Sequence, residues 1–280
     1  MPGLLESAAL QLRVAKRLAP RRGASLSERL GRLDDRLVFV VGSPRSGTTF
    51  LAGAIGSLPG FVDLGEVAPL KAAAPELAAL APDAAAGRIR RILALSRRIG
   101  LVGSVRAVEQ TPEVAYLVEA VLHAYPEASI VHAVRDGRDV VCSLLEKGWL
   151  SASHAGQDDA GIAYGAYPRF WVEPERREEF STVSDARRAA WAWRRYASAA
   201  RRAGERAFEV RYERMAAEPS VVANELAAYL DAPADTLAAA LQLAHPESIG
   251  RYQRDLSEEQ LADVRAEAGD LLRELGYLDA

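Results

Sequence analysis

The chain is poor in several things, and each shortage excludes something. It has one cysteine in 280 residues, Cys142, so no disulfide can form within it and nothing in it calls for an oxidising compartment. No apolar run approaches the roughly 20 residues that cross a bilayer as a helix. The longest strongly apolar stretch, 37–41, has the length of a strand. There is no basic excess: 35 basic residues stand against 38 acidic ones, a net charge of −3, which sets the chain apart from general nucleic-acid binders. The four histidines, His123, His132, His154 and His245, make no HxxxH pattern, and a lone cysteine makes no CxxC, so a metal site is not expected. Lysine itself is scarce. Lys16, Lys71 and Lys147 are the only three, beside 32 arginines. With the alanine-rich stretches this reads as a coding bias, but the two cations differ in shape and hydrogen bonding and do not substitute freely.

What remains is an ordinary globular composition, 49% hydrophobic and 26% charged, at a length that suits one large domain. Residues 1–22 carry their basic cluster after their apolar residues, the reverse of a signal peptide. Their spacing reads as an amphipathic helix, part of an N-terminal helical extension (1–35) packed on the domain, with interfacial membrane contact as the alternative. The expected compartment is the cytoplasm. Residues 36–280 read as a single domain.

Within it, short β-branched runs alternate with helical spacing. Strands are expected at 36–41, 61–64, 105–109, 129–134 and 207–211. Helices are expected at 48–58, over two stretches between 69 and 100 broken near Pro82, and at 112–125, 137–147, 185–202, 220–230, 234–244 and 257–275. That order implies an α/β fold: a P-loop-like parallel sheet of about five strands, flanked by helices on both faces. Residues 148–184 show no sustained period but hold Trp149, Tyr164, Tyr167, Phe170 and Trp171. A long irregular stretch of this kind in a compact domain is usually functional, and its aromatics argue against disorder.

The strongest local signal is VFVVGSPRSGTTFL, residues 38–51. A buried strand runs into Gly42-Ser43-Pro44-Arg45-Ser46-Gly47 and then into a helix opening with Thr48 and Thr49. Backbone N–H groups converge in such a turn, and the helix N-terminus adds partial positive charge. Gly42 and Gly47 permit close approach, the threonines add hydroxyls and Arg45 adds a cation. This is a site for a phosphate or a sulfate ester; a strand-to-helix turn without a ligand is the plainer reading. The loop nearly fits GxxxxGK[ST], but Thr48 stands where the lysine belongs, which demotes ATP chemistry.

A second strand–turn–helix follows at IVHAVRDGRDVVCSLLEKGW, residues 130–149, with Arg135 just past the strand and Ser143 eight residues on. Arg135 paired with Ser143 resembles the 3′-phosphate motif of sulfotransferases that use 3′-phosphoadenosine 5′-phosphosulfate (PAPS). The loop at 42–49 resembles the family's 5′-phosphosulfate loop in its PRSGTT form. Glu109-Gln110-Thr111-Pro112 resembles the E-K-T-P segment, 210–213 the R-Y-E segment, and 248–252 with the LSEEQL and LGY that follow a common tail. The resemblance spans about 37–278 and matches nothing at 150–190. Asp136 and Asp139 also read simply as solvated charges at a helix start.

The resemblance implies a bacterial-type sulfotransferase moving a sulfuryl group from PAPS to a hydroxyl or amine of a small molecule, carbohydrate or peptide. No metal, nucleic acid or transmembrane segment is implied. Arg45 would meet the transferring group, with Ser46, Gly47, Thr48 and Thr49 on the 5′-phosphate. Arg135 and Ser143 would hold the 3′-phosphate, and Phe50, Tyr212 and Arg251 would frame the adenosine, although Phe50 also reads as core. Glu66, in PGFVDLGEVAPL, resembles the base of the branch that uses a glutamate, with His154 as the competing base and a helix-start glutamate as the plainer reading. Residues 64–100 and 148–184 would shape the acceptor pocket. Gln110 stands where the family often has lysine. A P-loop kinase or nucleotide hydrolase, and a non-catalytic nucleotide-binding relative, are the competing readings.

Overall fold

The computed structural model describes residues 32–100, 102, 105–151 and 172–279. Most of the expected N-terminal extension, and residues 152–171 with His154, lie outside them.

Five strands form one sheet: β1 Val38–Gly42, β2 Phe61–Gly65, β3 Arg106–Glu109, β4 Ser129–Val134 and β5 Ala207–Arg211. Their order is β2-β3-β1-β4-β5 and every pairing is parallel. The helices are α1 Thr48–Gly56, α2 Ala68–Ala78, α3 Pro82–Ile99, α4 Val118–Ala124, α5 Gly137–Lys147, α6 Arg177–Thr182, α7 Asp185–Ala200, α8 Tyr212–Ala217, α9 Pro219–Leu230, α10 Ala234–Leu241, α11 Tyr252–Asp255 and α12 Glu258–Glu274. A parallel strand cannot return by a tight hairpin, so helical crossovers cover both faces of the sheet.

β1 shows the consequence. Successive side chains point to opposite faces. Phe39 and Val41 join the core that includes Leu70 of α2, Ile89 of α3 and Trp193 of α7. Val38 and Val40 join the core of Ile55 from α1, Leu226 from α9 and Leu237 from α10. A strand buried on both sides has no polar face, which is why VFVV reads as a continuous apolar run rather than an alternating one.

Most expected elements form within a few residues of their sequence bounds, and the 129–134 strand and the 137–147 helix coincide with them. Two differ in kind. The helix expected over 112–125 is divided into a 3-10 turn, Pro112–Leu117, and α4. Inside that turn Glu113 is buried and accepts a hydrogen bond from the Tyr196 hydroxyl of α7 at 3.0 Å. The end of the irregular stretch contains α6, whose last carbonyls, Phe180 and Ser181, accept from the buried Arg188 guanidinium at 2.8 and 2.7 Å. Partners on α7 act on both segments, and a local period does not register them.

At the start of α5, a Cβ on Gly137 would meet the Trp193 ring at 2.6 Å. Gly137→Ala is therefore expected to lower stability by about 1–3 kcal/mol, as overpacking of a filled core does. Urea unfolding checks this, and an unchanged midpoint refutes the close packing of α5 on α7.

Candidate active site

β1 and β4 are neighbours in parallel register, with Gly42 opposite Ala133. Their C-terminal ends thus release two loops side by side, at the edge of an open α/β sheet where ligands bind. In the first loop the Ser46 N–H donates to the Ser43 carbonyl at 3.1 Å. Arg45 sits at φ +72°, in the left-handed region that costs a non-glycine residue about 1–3 kcal/mol unless its surroundings hold it there. Those surroundings are visible. Its Nε donates to Ser143 Oγ at 2.8 Å, its carbonyl accepts from Arg135 Nη1 at 3.2 Å, and its guanidinium lies 5.6 Å from the centre of the Trp149 ring. Gly47, at φ +88°, is required because a Cβ there would meet the Tyr212 ring at 2.8 Å.

The same ring carries Arg135, whose guanidinium stacks 4.6 Å from its centre. Arg135 Nη2 donates to the Ser248 carbonyl at 2.6 Å. Arg135 is buried, yet its Nε has no hydrogen-bond partner, and neither does the buried Ser46 Oγ in the facing loop. A buried polar group left unpaired costs about 1–3 kcal/mol. Here one such group belongs to each loop, and no side chain caps α1 at Gly47. Thr48 is buried and Thr49 exposed at the start of that helix. Unpaired donors of this kind suit an anion.

Asp136 and Asp139 are not solvated charges: they are buried, 6% and 1% exposed. Asp136 caps α5 by accepting from the Arg138 N–H and pairs with the Arg138 guanidinium. Asp139 accepts from the backbone N–H groups of Gly250 and Tyr252 at 2.8 and 3.0 Å, tying the C-terminal segment to α5. Arg251 is engaged by Glu146 at 2.5 Å and Asp255 at 2.7 Å, and these carboxylates hold its guanidinium above its ordinary pKa. It lies at the rim of the second loop with its charge already matched. Tyr212 serves as the platform under Arg135 and against Gly47, and Phe50 packs half-buried on the α1 core.

Glu66 follows β2 and lies across β3 from the loops. The chain of contacts runs from Thr49 Oγ1, which donates to Gln110 Oε1 at 3.2 Å, to the Gln110 N–H, which donates to the Gly65 carbonyl at 3.4 Å. Glu66 Oε2 accepts from Lys71 Nζ at 2.8 Å. The Val67 N–H donates to Thr111 Oγ1 at 2.8 Å, and Thr111 in turn donates to Glu109 through both its hydroxyl and its N–H. Glu109 is fully buried, and burial pushes its pKa from 4.5 up to about 8; the Thr111 hydrogen bonds oppose the rise and the nearby Glu66 charge adds to it. Sequence reasoning missed the Lys71 contact; the scarcity of lysine was its only signal. Burial holds His132 near 4 and pushes the Cys142 thiol to about 12, so neither is poised as a base or nucleophile. Among the described residues, no three His, Cys, Asp or Glu side chains gather as a metal site.

The family of sulfotransferases matches residues 101–236. That stretch is just under half of the chain, and over it the sequence is similar to the sulfotransferase family. The matched segment includes β3, β4, α5 and β5, hence Arg135 and Ser143, while the loop at 42–49 and Glu66 precede it. Among solved structures, the chain resembles the sulfotransferase domain from the Synechococcus PCC 7002 olefin synthase, with 14% identity and a TM-score of 0.53 over 92% of this chain and 100% of that one. It resembles the sulfotransferase domain from the curacin biosynthetic pathway at 14% identity and a TM-score of 0.54, covering 86% and 98%. Against sulfotransferase STF9 from Mycobacterium avium the values are 16%, 0.51, 95% and 83%. At such identities the likeness is one of fold, a five-stranded parallel sheet between helical layers. No curated protein sequence matches the chain. No helix among the described residues is long and apolar enough to cross a membrane.

The buried Glu109 yields a stability prediction. Its pKa is raised on folding, so its contribution is full below about 4.5 and is lost as pH rises towards about 8. The steepest loss is about 1.4 kcal/mol per pH unit. Glu109→Gln keeps a neutral side chain at every pH and is expected to flatten this fall. Urea unfolding at pH 5 and pH 8 checks it, and equal falls in wild type and variant would show that Glu109 carries no extra proton.

Proposed function

We propose that the chain is a PAPS-dependent sulfotransferase, moving a sulfuryl group to a hydroxyl or amine. The observation that carries this reading is the junction of the two loops: Arg45 bonded to Ser143, Arg135 bonded to the Arg45 carbonyl, and a buried unpaired donor on each side. Two anion-binding loops locked together fit a donor with two phosphorylated positions better than a nucleoside diphosphate with one phosphate chain. The kinase reading lacks its lysine. Position 48 is a threonine, and of the two lysines among the described residues Lys71 is paired with Glu66 while Lys147 ends α5.

On this reading the uncapped end of α1, with Ser46, Gly47, Thr48 and Thr49, binds the 5′-phosphate side, and Arg135 with Ser143 binds the 3′-phosphate. Arg45, held between the two loops, meets the transferring group. Tyr212 sets the plane of Arg135, and Arg251 closes the rim beside α5. Glu66 accepts the acceptor's proton as the new S–O bond forms. The S–O bond to phosphate breaks, its electron pair leaves with the phosphate oxygen, and cationic and backbone donors stabilise the shifting charge. The half-exposed Glu66 carboxylate stands at the edge of the loops, where an acceptor can enter. Trp149, against Arg45, offers that acceptor an apolar or ring-binding wall. The acceptor class is a small molecule, carbohydrate or peptide.

Calorimetric titration tests the donor. The 3′,5′-bisphosphate product is expected to bind and ADP to bind far more weakly; tight ADP binding without the bisphosphate overturns the reading. Arg135→Ala is expected to weaken bisphosphate binding about 10–100-fold, the scale of lost charged hydrogen bonds. Glu66→Gln is expected to lower kcat about 10²–10⁴-fold with bisphosphate affinity near wild type. Equal loss of bisphosphate affinity in both variants removes Glu66 from the role of base.

A further inference from the structure

Lys71 is one of three lysines in a chain that otherwise uses arginine. It stands in the first turns of α2 with its side chain 5% exposed, and its ammonium reaches a carboxylate that is 40% exposed. The buried partner is thus the cation and the accessible partner is the acid, an arrangement that presents the acid to solvent from a fixed support. The backbone beneath is fixed as well: the Lys71 and Leu70 N–H groups both return to the Val67 carbonyl, at 3.0 and 2.8 Å, and the Val67 N–H is held by Thr111. An ammonium is a compact point donor, whereas a guanidinium is a wide planar fork. Lys71 uses that point geometry on one carboxylate oxygen, Oε2 of Glu66.

Position 110 completes the argument. It is next to Glu66 across the β2–β3 edge, since the Gln110 N–H bonds the Gly65 carbonyl. A lysine there would bring a cation to this place, but Gln110 is neutral and its side-chain oxygen is used by Thr49. The positive charge arrives instead from α2. We propose that Lys71 is a positioning residue for Glu66: by holding Oε2 it fixes the carboxylate and leaves Oε1 to face the acceptor, supplying from position 71 the charge that position 110 does not. The inference rests on Glu66 being the base. As the acceptor proton passes to Oε1, the Glu66–Lys71 pair goes from neutral to net positive, while negative charge moves onto the departing phosphate.

Two measurements test it. With only three lysines, the Nζ resonances of ¹⁵N-labelled protein are few, and that of Lys71 is expected to shift or broaden in Glu66→Gln. An unmoved Lys71 signal overturns the pairing without reference to activity. In kinetics, with whichever of a phenol, an alkyl alcohol and a monosaccharide is turned over best, Lys71→Met is expected to lose at least tenfold in kcat. Its bisphosphate affinity should stay within about twofold of wild type, because Lys71 bonds Glu66 and neither of the two anion-binding loops. Adding Lys71→Met to Glu66→Gln should cost nothing more, because the two act as one unit. Gln110→Lys added to Lys71→Met should restore part of the lost kcat. Unchanged kcat in Lys71→Met, or losses that multiply in the double variant, overturn the proposal. Should Lys71→Met not fold, Lys71→Arg keeps the charge and is expected to stay within about tenfold of wild type in kcat, one power of ten being about 1.4 kcal/mol. A folded Lys71→Arg as impaired as Glu66→Gln is the contrary result. If Glu66→Gln itself retains full activity, the assignment of the base fails first, and the Lys71 signal still reports separately on the pair.

Discussion

The parallel pairing of β1 with β4 is the constraint on which the site depends. Because Gly42 lies opposite Ala133, the loops after both strands leave the sheet at one level and within side-chain reach. Arg45 can then bond Ser143, 98 residues away, while Arg135 bonds back to the Arg45 carbonyl. The left-handed backbone of Arg45 persists because both of its ends are tied in this way. Tyr212 sits under the junction, filling the place a side chain at 47 would take and stacking on Arg135.

Charge is distributed unevenly over this frame. Carboxylates around the second loop are spent on structure: Asp136 on its helix cap and Arg138, Asp139 on the 250–252 backbone, Glu146 and Asp255 on Arg251. Across the sheet, Glu109 is pushed towards its neutral form by burial, and Glu66 is the acid left within reach of solvent, on a lysine base of support. The two sides therefore have separate chemistry. One side gathers cationic and hydroxyl donors at the loop junction, and the other carries a half-exposed carboxylate paired with a buried lysine.

Much of the fold was legible because its signals are local. VFVV ending in Gly42, SIVHAV ending before Arg135, and a helix opening at Gly137 are patterns within a few residues, and the strands and helices formed where they point. The places of Arg135, just past β4, and Ser143, two turns into α5, were legible for the same reason, whereas the bond that Ser143 makes to Arg45 was not. The 3-10 turn at 112–117 and helix α6 were not, since Tyr196 and Arg188 act on them from α7. The burial of Asp136 and Asp139 was not legible either: a charged residue at a helix start looks the same whether water or the 250–252 backbone lies beside it.

The sequence alone determined the alternation of strand and helix, the two glycine- and arginine-bearing turns and the family resemblance, because backbone propensity and residue spacing are properties of neighbours along the chain. Only the tertiary structure decided that Arg45 meets Ser143, that Tyr212 lies beneath Arg135, that Arg251 is already matched by two carboxylates and that Lys71 supports Glu66. Those contacts arise from strand order and helix packing. They bring distant residues within 3 Å or place charges in low dielectric, and neither outcome follows from separation in sequence.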